Sequence, residues 1–193
     1  MRRVAAAAAA VLLAAGTARG QALPTAPGLV SHGTEHPPAA AATLPTRVME
    51  RHIVVSLDEH RLYVVESGRV LWSAVIGTGT GTRLAGAGQT WDFSTPRGMF
   101  RVQVKQKDPV WFLPDWYFVE RGQAVPPPDS PARRREGELG TSALFLGEEI
   151  AIHGTDRPEL LGEDVSHGCI RVTNEDARRL YHEVDVGTPV LIY

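Results

Sequence analysis

The chain has 193 residues, of which 43% are apolar and 22% are charged, and its formal net charge is −2. This mildly acidic balance argues against nucleic acid as a partner, and a single cysteine excludes an intramolecular disulfide. The length is sufficient for one domain with a sizeable hydrophobic core.

Residues 1–22 have the pattern of a secretory signal peptide. They begin with a basic pair, Arg2 and Arg3, continue with an apolar run over residues 5–15, and end in small residues. The run has 11 residues, whereas a membrane-spanning helix needs about 20, so we expect cleavage within residues 20–22 rather than anchoring. We therefore predict an exported protein of the periplasm or cell envelope, with no integral membrane span after cleavage.

Residues 23–46 are rich in proline and alanine and show little periodic hydrophobicity. Such a composition predicts a linker or a disordered tail. From about Glu50 the sequence changes to short apolar and alternating runs. We therefore assign residues 47–193 to one domain, which carries the function.

Short apolar and alternating runs predict that this domain is mainly β. Residues 52–57, 61–66 and 69–77 form a predicted meander of three strands, because turn signals separate them. Residues 99–105 alternate strictly between apolar and polar side chains, which predicts one half-buried strand. Further strands are expected in residues 143–154, with an internal turn, and in the last five residues.

One α-helix is predicted over residues 174–184. Asn174 suits an N-cap, and the apolar residues after it recur at helical spacing on one face. The segments 77–98 and 107–140 show no such pattern, so we interpret them as long irregular loops. The expected architecture is therefore two packed sheets covered by a short helix.

The single cysteine, Cys169, lies in the stretch SHGCIRVTN, whose composition favours a nucleophile. A free thiol is only a few per cent thiolate at neutral pH, so it needs a base or a lowered pKa to attack a carbonyl. His153 lies 16 residues upstream, at the end of a predicted strand, and His167 lies two residues upstream. By spacing alone, either histidine could accept the thiol proton.

Other residues near the thiol suit the same chemistry. Gly168 lets the backbone bend and leaves the amides around it and Cys169 free to form an oxyanion hole. Arg171 adds a positive charge that favours a thiolate and an anionic substrate group. The alternative interpretations are a buried apolar cysteine, and a module that binds zinc through His153, His167 and Cys169.

Several motifs of the domain occur together in one known family. They are IHGT at residues 152–155, SHGCIR at residues 166–171, the following Asn174, and the ending VGTPVLIY, preceded by RLYVVESGRVLWSAVIGTG and STPRGMFRV. From about residue 50 to residue 193 the chain resembles the L,D-transpeptidase catalytic domain family of the YkuD type. The resemblance implies a β-sandwich of two mixed sheets with a short capping helix.

The resemblance also implies an enzyme that acts on peptidoglycan stem peptides and needs no cofactor or metal. In that family a cysteine attacks the carbonyl of the third residue of a tetrapeptide stem and releases the terminal D-alanine. An amine of a neighbouring stem, giving 3,3 crosslinks, or an amine of an envelope lipoprotein then takes the acyl group. Water as the acceptor would instead give a carboxypeptidase or a hydrolase of links between peptidoglycan and protein, and the sequence leaves these alternatives open.

Carried over by motif, the family's roles fall on eight residues of this sequence. Cys169 is the nucleophile, His153 is the general base and later the acid, and His167 is a catalytic residue that helps to shape the pocket. The oxyanion and substrate-binding positions are Gly154, Ser166, Gly168, Arg171 and Asn174.

The aromatic part of residues 107–140 suggests an element beyond the family motifs. We predict that Trp111, Trp116 and Tyr117 form part of a lid or groove wall over the stem peptide. A non-catalytic domain that only binds the cell wall is a further alternative, but the intact motifs around Cys169 argue against it.

Overall fold

The computed structural model describes residues 51–147 and 149–193. The predicted signal peptide and linker lie outside these ranges, as do the first residues of the predicted domain. Within the described residues there are two α-helices, α1 (Asp115–Glu120) and α2 (Asn174–Glu183). The strands in the same ranges are β1 (His52–Ser56), β2 (Arg61–Glu66), β3 (Arg69–Val75), β4 (Thr78–Gly79), β5 (Arg83–Gly86), β6 (Gln89–Asp92), β7 (Gly98–Arg101), β8 (Val104–Lys107), β9 (Val110–Phe112), β10 (Arg134–Glu136), β11 (Ser142–Gly147), β12 (Ile150–Gly154), β13 (Asp164–Ser166), β14 (Ile170–Val172) and β15 (Pro189–Ile192).

The first sheet has the strand order β3-β2-β1-β15-β7. Its antiparallel meander from β1 to β3 confirms the prediction from the alternating runs, with Val54 opposite Tyr63 and Leu62 opposite Ala74. β15 joins β1 in parallel and β7 joins β15 antiparallel, so the sheet is mixed. Because side chains alternate along each strand, one face of the sheet presents its apolar residues to the core.

The second sheet has the order β14-β12-β11-β8. β12 pairs with β14 in parallel, while β11 pairs antiparallel with β12 and with β8, so this sheet is also mixed. Apolar side chains of both sheets and of α2 form one buried core, whose removal from water is the main force that holds the layers together. The predicted sandwich of two mixed sheets with a short helix is therefore confirmed. The fully buried residues of the core include Ile53, Leu62, Leu144, Ile152, Leu180 and Ile192.

The helix α2 lies where the sequence predicts it, but its N-cap is Thr173 and not Asn174. The backbone of Thr173 is extended and its hydroxyl accepts a hydrogen bond from the Asp176 amide at 3.0 Å. The Asn174 side chain accepts a hydrogen bond from the Thr141 amide instead, also at 3.0 Å. Threonine and asparagine both make good caps, so the backbone conformation decides which of two neighbours serves.

Residues 99–105 are two strands rather than the one predicted, because the chain passes from the first sheet to the second within this run. β7 ends and β8 begins on either side of the buried Val102. The alternation breaks there, since Val104 is 53% exposed. Lys105 turns inward and its ammonium donates to two carbonyls at the C-terminal end of α2, at 2.8 and 2.6 Å.

The two stretches interpreted as irregular also contain regular structure. Residues 77–98 hold β4 and the hairpin of β5 and β6, and residues 107–140 hold β9, α1 and β10. Elements this short do not give a periodic signal that stands out in a sequence. Neither of the helices that the structure describes has the length and apolar character needed to cross a lipid bilayer.

Candidate active site

A cavity of about 500 Å³ lies against the second sheet. His153, Cys169 and Arg171 line it from β12, from the residue before β14, and from β14, and we call these three residues the floor. β12 and β14 are parallel neighbours, with His153 in register with Arg171. Because paired strands lie about 4.8 Å apart, this pairing brings an imidazole and a thiol that are distant in sequence into one cavity.

His153 is a buried, uncharged imidazole at neutral pH. It is 4% exposed, and its Nδ1 lies 2.7 Å from the Gly154 carbonyl oxygen. A carbonyl only accepts, so Nδ1 carries the proton, and in the neutral ring Nε2 carries a lone pair. Burial lowers the pKa of His153 to about 4, the charge of Arg171 adds to this, and hydrogen bonds to the backbone of Gly154 and Leu139 oppose it.

Cys169 is half-buried, and its thiol is protonated at rest. Burial raises the pKa of the thiol above its ordinary value, while a hydrogen bond from the Ala151 backbone and the charge of Arg171 lower it. In the protonated form Sγ donates to the Glu149 carbonyl at 3.5 Å. An attack by this neutral thiol would require a base to take its proton, and His153 is a neutral imidazole on the same floor.

Ser166 fixes the backbone immediately before the nucleophile. Its hydroxyl donates to the Cys169 carbonyl at 2.6 Å and accepts from the Gly168 amide at 3.1 Å. The prediction that the Gly168 amide is free for an oxyanion hole is therefore wrong, since this donor is already bonded. The amide of Cys169 remains the predicted donor in this loop.

Gly168 adopts a conformation that favours glycine. Its φ is +118°, and an added Cβ would lie 3.3 Å from Ile150 Cδ1 and 3.4 Å from the Ser94 carbonyl oxygen. A side chain here would therefore be strained and crowded at once. This geometry explains why a glycine directly precedes the cysteine.

Thr95 supports the same loop from the other side, and sequence reasoning gave it no role. It is 6% exposed, and its hydroxyl donates to the Gly168 carbonyl at 2.9 Å and accepts from the Gly79 amide at 2.8 Å. The sequence did hold a signal, because Thr95 begins the Thr-Pro-x-Gly motif. The motif lies at the end of residues 77–98, which the pattern predicts to be an irregular loop.

His167 lines the cavity but is held by groups other than the floor. Its ring stacks on Trp116 with centroids 4.1 Å apart and an interplanar angle of 13°, and it meets the edge of Phe93 at 4.5 Å. Its Nε2 lies 3.0 Å from Glu120 Oε1. These contacts suit the predicted role in shaping the pocket, and they occupy the nitrogen that a base would use.

Asn174 and Gly154 lie behind the floor, outside the residues that line the cavity. A Cβ added at Gly154 would lie 2.2 Å from Asn174 Oδ1, and one added at Gly140 would lie 2.1 Å from the same atom. The asparagine therefore fills a space that only glycines leave open, and it holds Thr141 through the hydrogen bond described above. The geometry assigns these residues to support of the adjoining segment, which includes the cavity-lining Leu139, rather than to substrate contact.

Aromatic side chains from β9 and α1 also line the cavity. We call Trp111, Phe112 and Trp116 the aromatic wall. Of the three residues predicted for a lid or wall, Tyr117 does not line the cavity but packs against Trp111, with ring centroids 5.6 Å apart. Phe112 is 61% exposed, so the wall reaches the solvent at its rim.

The segment that carries the aromatic wall is fastened by a buried arginine. Arg133 is 7% exposed, and its guanidinium donates to the carbonyls of Leu113, Pro126 and Pro127 and to the Asp115 carboxylate. Arginine suits this position because its five donors lie in a fixed plane. A basic run at residues 133–135 thus contains one structural side chain beside two exposed ones.

A metal centre is not formed by the residues that the structure describes, since no three histidine, cysteine or acidic side chains there converge to hold an ion. The three residues considered for zinc have other partners. His153 bonds the Gly154 carbonyl, and the ring of His167 bonds Glu120.

Comparisons with known proteins show the family of this domain. The family model of the L,D-transpeptidase catalytic domain, YkuD, matches residues 50–192. The chain is 35% identical over 142 residues to the L,D-transpeptidase homologue YqjB of Bacillus subtilis, covering 73% of this chain and 70% of that protein. It is 34% identical over 160 residues to the homologue ErfK/SrfK of Salmonella typhimurium, covering 77% of this chain and 46% of that protein.

The fold agrees as well. The crystal structure of an L,D-transpeptidase from Xylanimonas cellulosilytica matches with a TM-score of 0.56 and 25% identity, over 77% of this chain and 63% of that chain. The chain spans about half the length of the Salmonella relative and of YbiS of Escherichia coli. The family model covers the whole sandwich, including the floor of the cavity, and the chain therefore belongs to the L,D-transpeptidase catalytic domain family.

Proposed function

We propose that this chain is an exported peptidoglycan L,D-transpeptidase that works in the periplasm or cell envelope. Its substrate is a tetrapeptide stem, from which it removes the terminal D-alanine and transfers the acyl group to an amine. The observation that carries the proposal is the neutral pair of Cys169 and His153 on the floor of one cavity. Membership of the family supplies the substrate class.

Acylation begins at the thiol. His153 Nε2 takes the thiol proton while Sγ forms a bond to the carbonyl carbon of the third stem residue. The carbonyl electrons move to oxygen, where the Cys169 amide can donate to the oxyanion. When they return, the bond to D-alanine breaks, and the imidazolium gives its proton to the leaving amine. A thioester on Cys169 and free D-alanine result.

Deacylation reverses the proton path. An acceptor amine attacks the thioester carbonyl, His153 takes the proton from that nitrogen, and the thiol leaves with a proton returned by the ring. An amine of a neighbouring stem gives a 3,3 crosslink, and an amine of an envelope lipoprotein gives protein attachment. Water in the same position gives a tripeptide.

Arg171 contributes through its charge. It lies on the floor, and its charge both lowers the pKa of the thiol and disfavours a charged His153 at rest. It therefore favours negative charge as it develops on sulfur and on the substrate oxygen. The chemistry needs no metal or cofactor, since nucleophile, base and oxyanion donor are all supplied by the protein.

Incubation of the purified protein with disaccharide tetrapeptide tests this proposal. Mass spectrometry should detect release of D-alanine together with a crosslinked dimer, and a tripeptide instead would assign water as the acceptor. A carbapenem should add its mass to Cys169. The Cys169→Ser variant is the control, and the proposal is wrong if that variant processes the muropeptide as the wild type does.

A further inference from the structure

We propose that Glu120 is a positioning residue, which orients the loop of residues 166–169 through the His167 ring. This inference rests on the acyl transfer proposed for Cys169. Glu120 is the last residue of α1, and it does not itself line the cavity. It therefore acts on the nucleophile through another side chain and not on the substrate.

The contact between the two segments is specific. Glu120 Oε1 accepts from His167 Nε2 at 3.0 Å, and Trp116 from the same helix stacks on the ring at 4.1 Å. Phe93 closes a third side of the ring at 4.5 Å. A carboxylate sets the rotation of the imidazole in its plane, while the stacked indole sets the plane itself.

Several hydrogen bonds that do not involve α1 also support the main chain around His167. Ser166 bonds both the Gly168 amide and the Cys169 carbonyl, and Thr95 bonds the Gly168 carbonyl. The Thr80 amide also holds the Ser166 carbonyl at 2.9 Å, and the His167 side chain adds the support that comes from α1. Its orientation therefore affects where Sγ and the Cys169 amide lie.

The helix that carries Glu120 is itself firmly anchored. The Arg133 guanidinium donates to Asp115 in the first turn of α1 at 2.6 Å and to the Leu113 carbonyl just before the helix at 2.8 Å. Because these bonds fix the N-terminal end of α1, Glu120 at the C-terminal end keeps a defined position next to His167. The aromatic wall and the loop of residues 166–169 are thus coupled through one hydrogen bond and one ring stack.

The rate of Cys169 acylation in four variants tests the inference. Glu120→Ala should lower the acylation kcat about 5- to 10-fold with little change in KM, because the site is misaligned and not blocked. Glu120→Gln should recover most of this rate, since its amide oxygen still accepts from the ring. His167→Phe keeps the stacked ring without its nitrogen, and in that background Glu120→Ala should have no further effect.

Arg121→Ala is the matched control, because it removes the partner of the other Glu120 oxygen, at 3.0 Å, and leaves the bond to His167. Its rate should stay within about 2-fold of the wild type. Thermal unfolding of each variant separates misalignment from loss of fold. The inference is overturned if Glu120→Ala matches the wild type, if Glu120→Gln fails to recover the rate, or if Glu120→Ala slows the His167→Phe protein as much as the wild type.

Alkylation of Cys169 by iodoacetamide supplies a second readout that needs no peptidoglycan substrate. The same order of rates among the variants is expected, and equal rates would overturn the inference. Failure of the proposed function looks different, because the wild type itself would then leave the muropeptide unchanged while the thiol still reacts.

Discussion

The floor and the aromatic wall of the cavity are built by different physical means. The floor lies on or beside parallel strands whose register is fixed by main-chain hydrogen bonds, so the sheet itself holds His153, and Cys169 directly precedes β14. The wall lies on a three-residue strand and a six-residue helix, which are too short to be stable alone, and Arg133 holds them through side-chain bonds. The comparison teaches that the sheet fixes the position of the floor, whereas the position of the wall depends on the side-chain bonds of one arginine.

The two histidines of the site show the same contrast. His153 is buried in β12 and uncharged, with one nitrogen bonded to a carbonyl and the other available as a base. His167 is half-buried between Phe93 and Trp116, and its Nε2 faces a carboxylate. One histidine is therefore suited to proton transfer and the other to orientation.

The largest expected effect separates these histidines. His153→Gln should slow acylation by the tetrapeptide donor about 100- to 10,000-fold, because the general base is lost. The same substitution at His167 should slow it only about 10-fold, since orientation is impaired but the base remains. Stopped-flow or mass-spectrometric acylation rates measure both. Equal losses of acylation rate at the two positions would contradict the assignment of proton transfer to His153 and orientation to His167.

Arg133→Met tests how the wall is held. The variant leaves three carbonyls and one carboxylate without their donor, and it should lower the free energy of unfolding by about 3 kcal/mol. Limited proteolysis should cut first within residues 113–136. The exposed neighbour Arg135 gives the control, because Arg135→Met should change stability by less than about 0.5 kcal/mol. Equal effects of the two substitutions would show that burial of Arg133 is not what fastens the wall.

The pH dependence of stability tests the floor. Because burial lowers the pKa of His153 to about 4 from an ordinary 6.5, the unfolded chain binds more protons between these values. The stability that His153 contributes is therefore complete above pH 6.5 and is lost as the pH falls toward 4. Between pH 7 and pH 4.5 the wild type should lose roughly 2 kcal/mol more than His153→Gln. Urea titrations of both proteins at each pH measure these losses of unfolding free energy. Equal losses in the two proteins would contradict the expectation.

The smallest expected effect concerns the rim of the wall. Phe112 is 61% exposed and lines the cavity, so Phe112→Ala should raise KM for the muropeptide about 5-fold and leave the unfolding midpoint unchanged. Met99, which is 69% exposed on β7 and does not line the cavity, provides the control. Met99→Ala should alter neither quantity. A fall in kcat at constant KM for Phe112→Ala would move this residue from binding to catalysis.

Much of the sandwich could be predicted because its longer elements carry clear periodic patterns. The meander, the terminal strand and α2 follow from alternation and helical spacing in residues 52–75 and 174–192. The prediction of one strand over residues 99–105 was wrong, because alternation indicates which way side chains point and not which sheet a strand joins. The short elements of residues 107–140 could not be found, since three to six residues contain too few positions to establish a period.

The sequence by itself singled out Cys169 and His153 as candidate catalytic residues, because a lone thiol after Ser-His-Gly, downstream of a histidine, resembles the motifs of the family to which the chain belongs. Only the tertiary structure decided the rest. Burial keeps His153 uncharged at neutral pH, the hydroxyl of Ser166 removes the Gly168 amide from the predicted oxyanion hole, and Glu120 bonds to His167. These outcomes depend on burial and on contacts between distant segments, and no local pattern of residues encodes them.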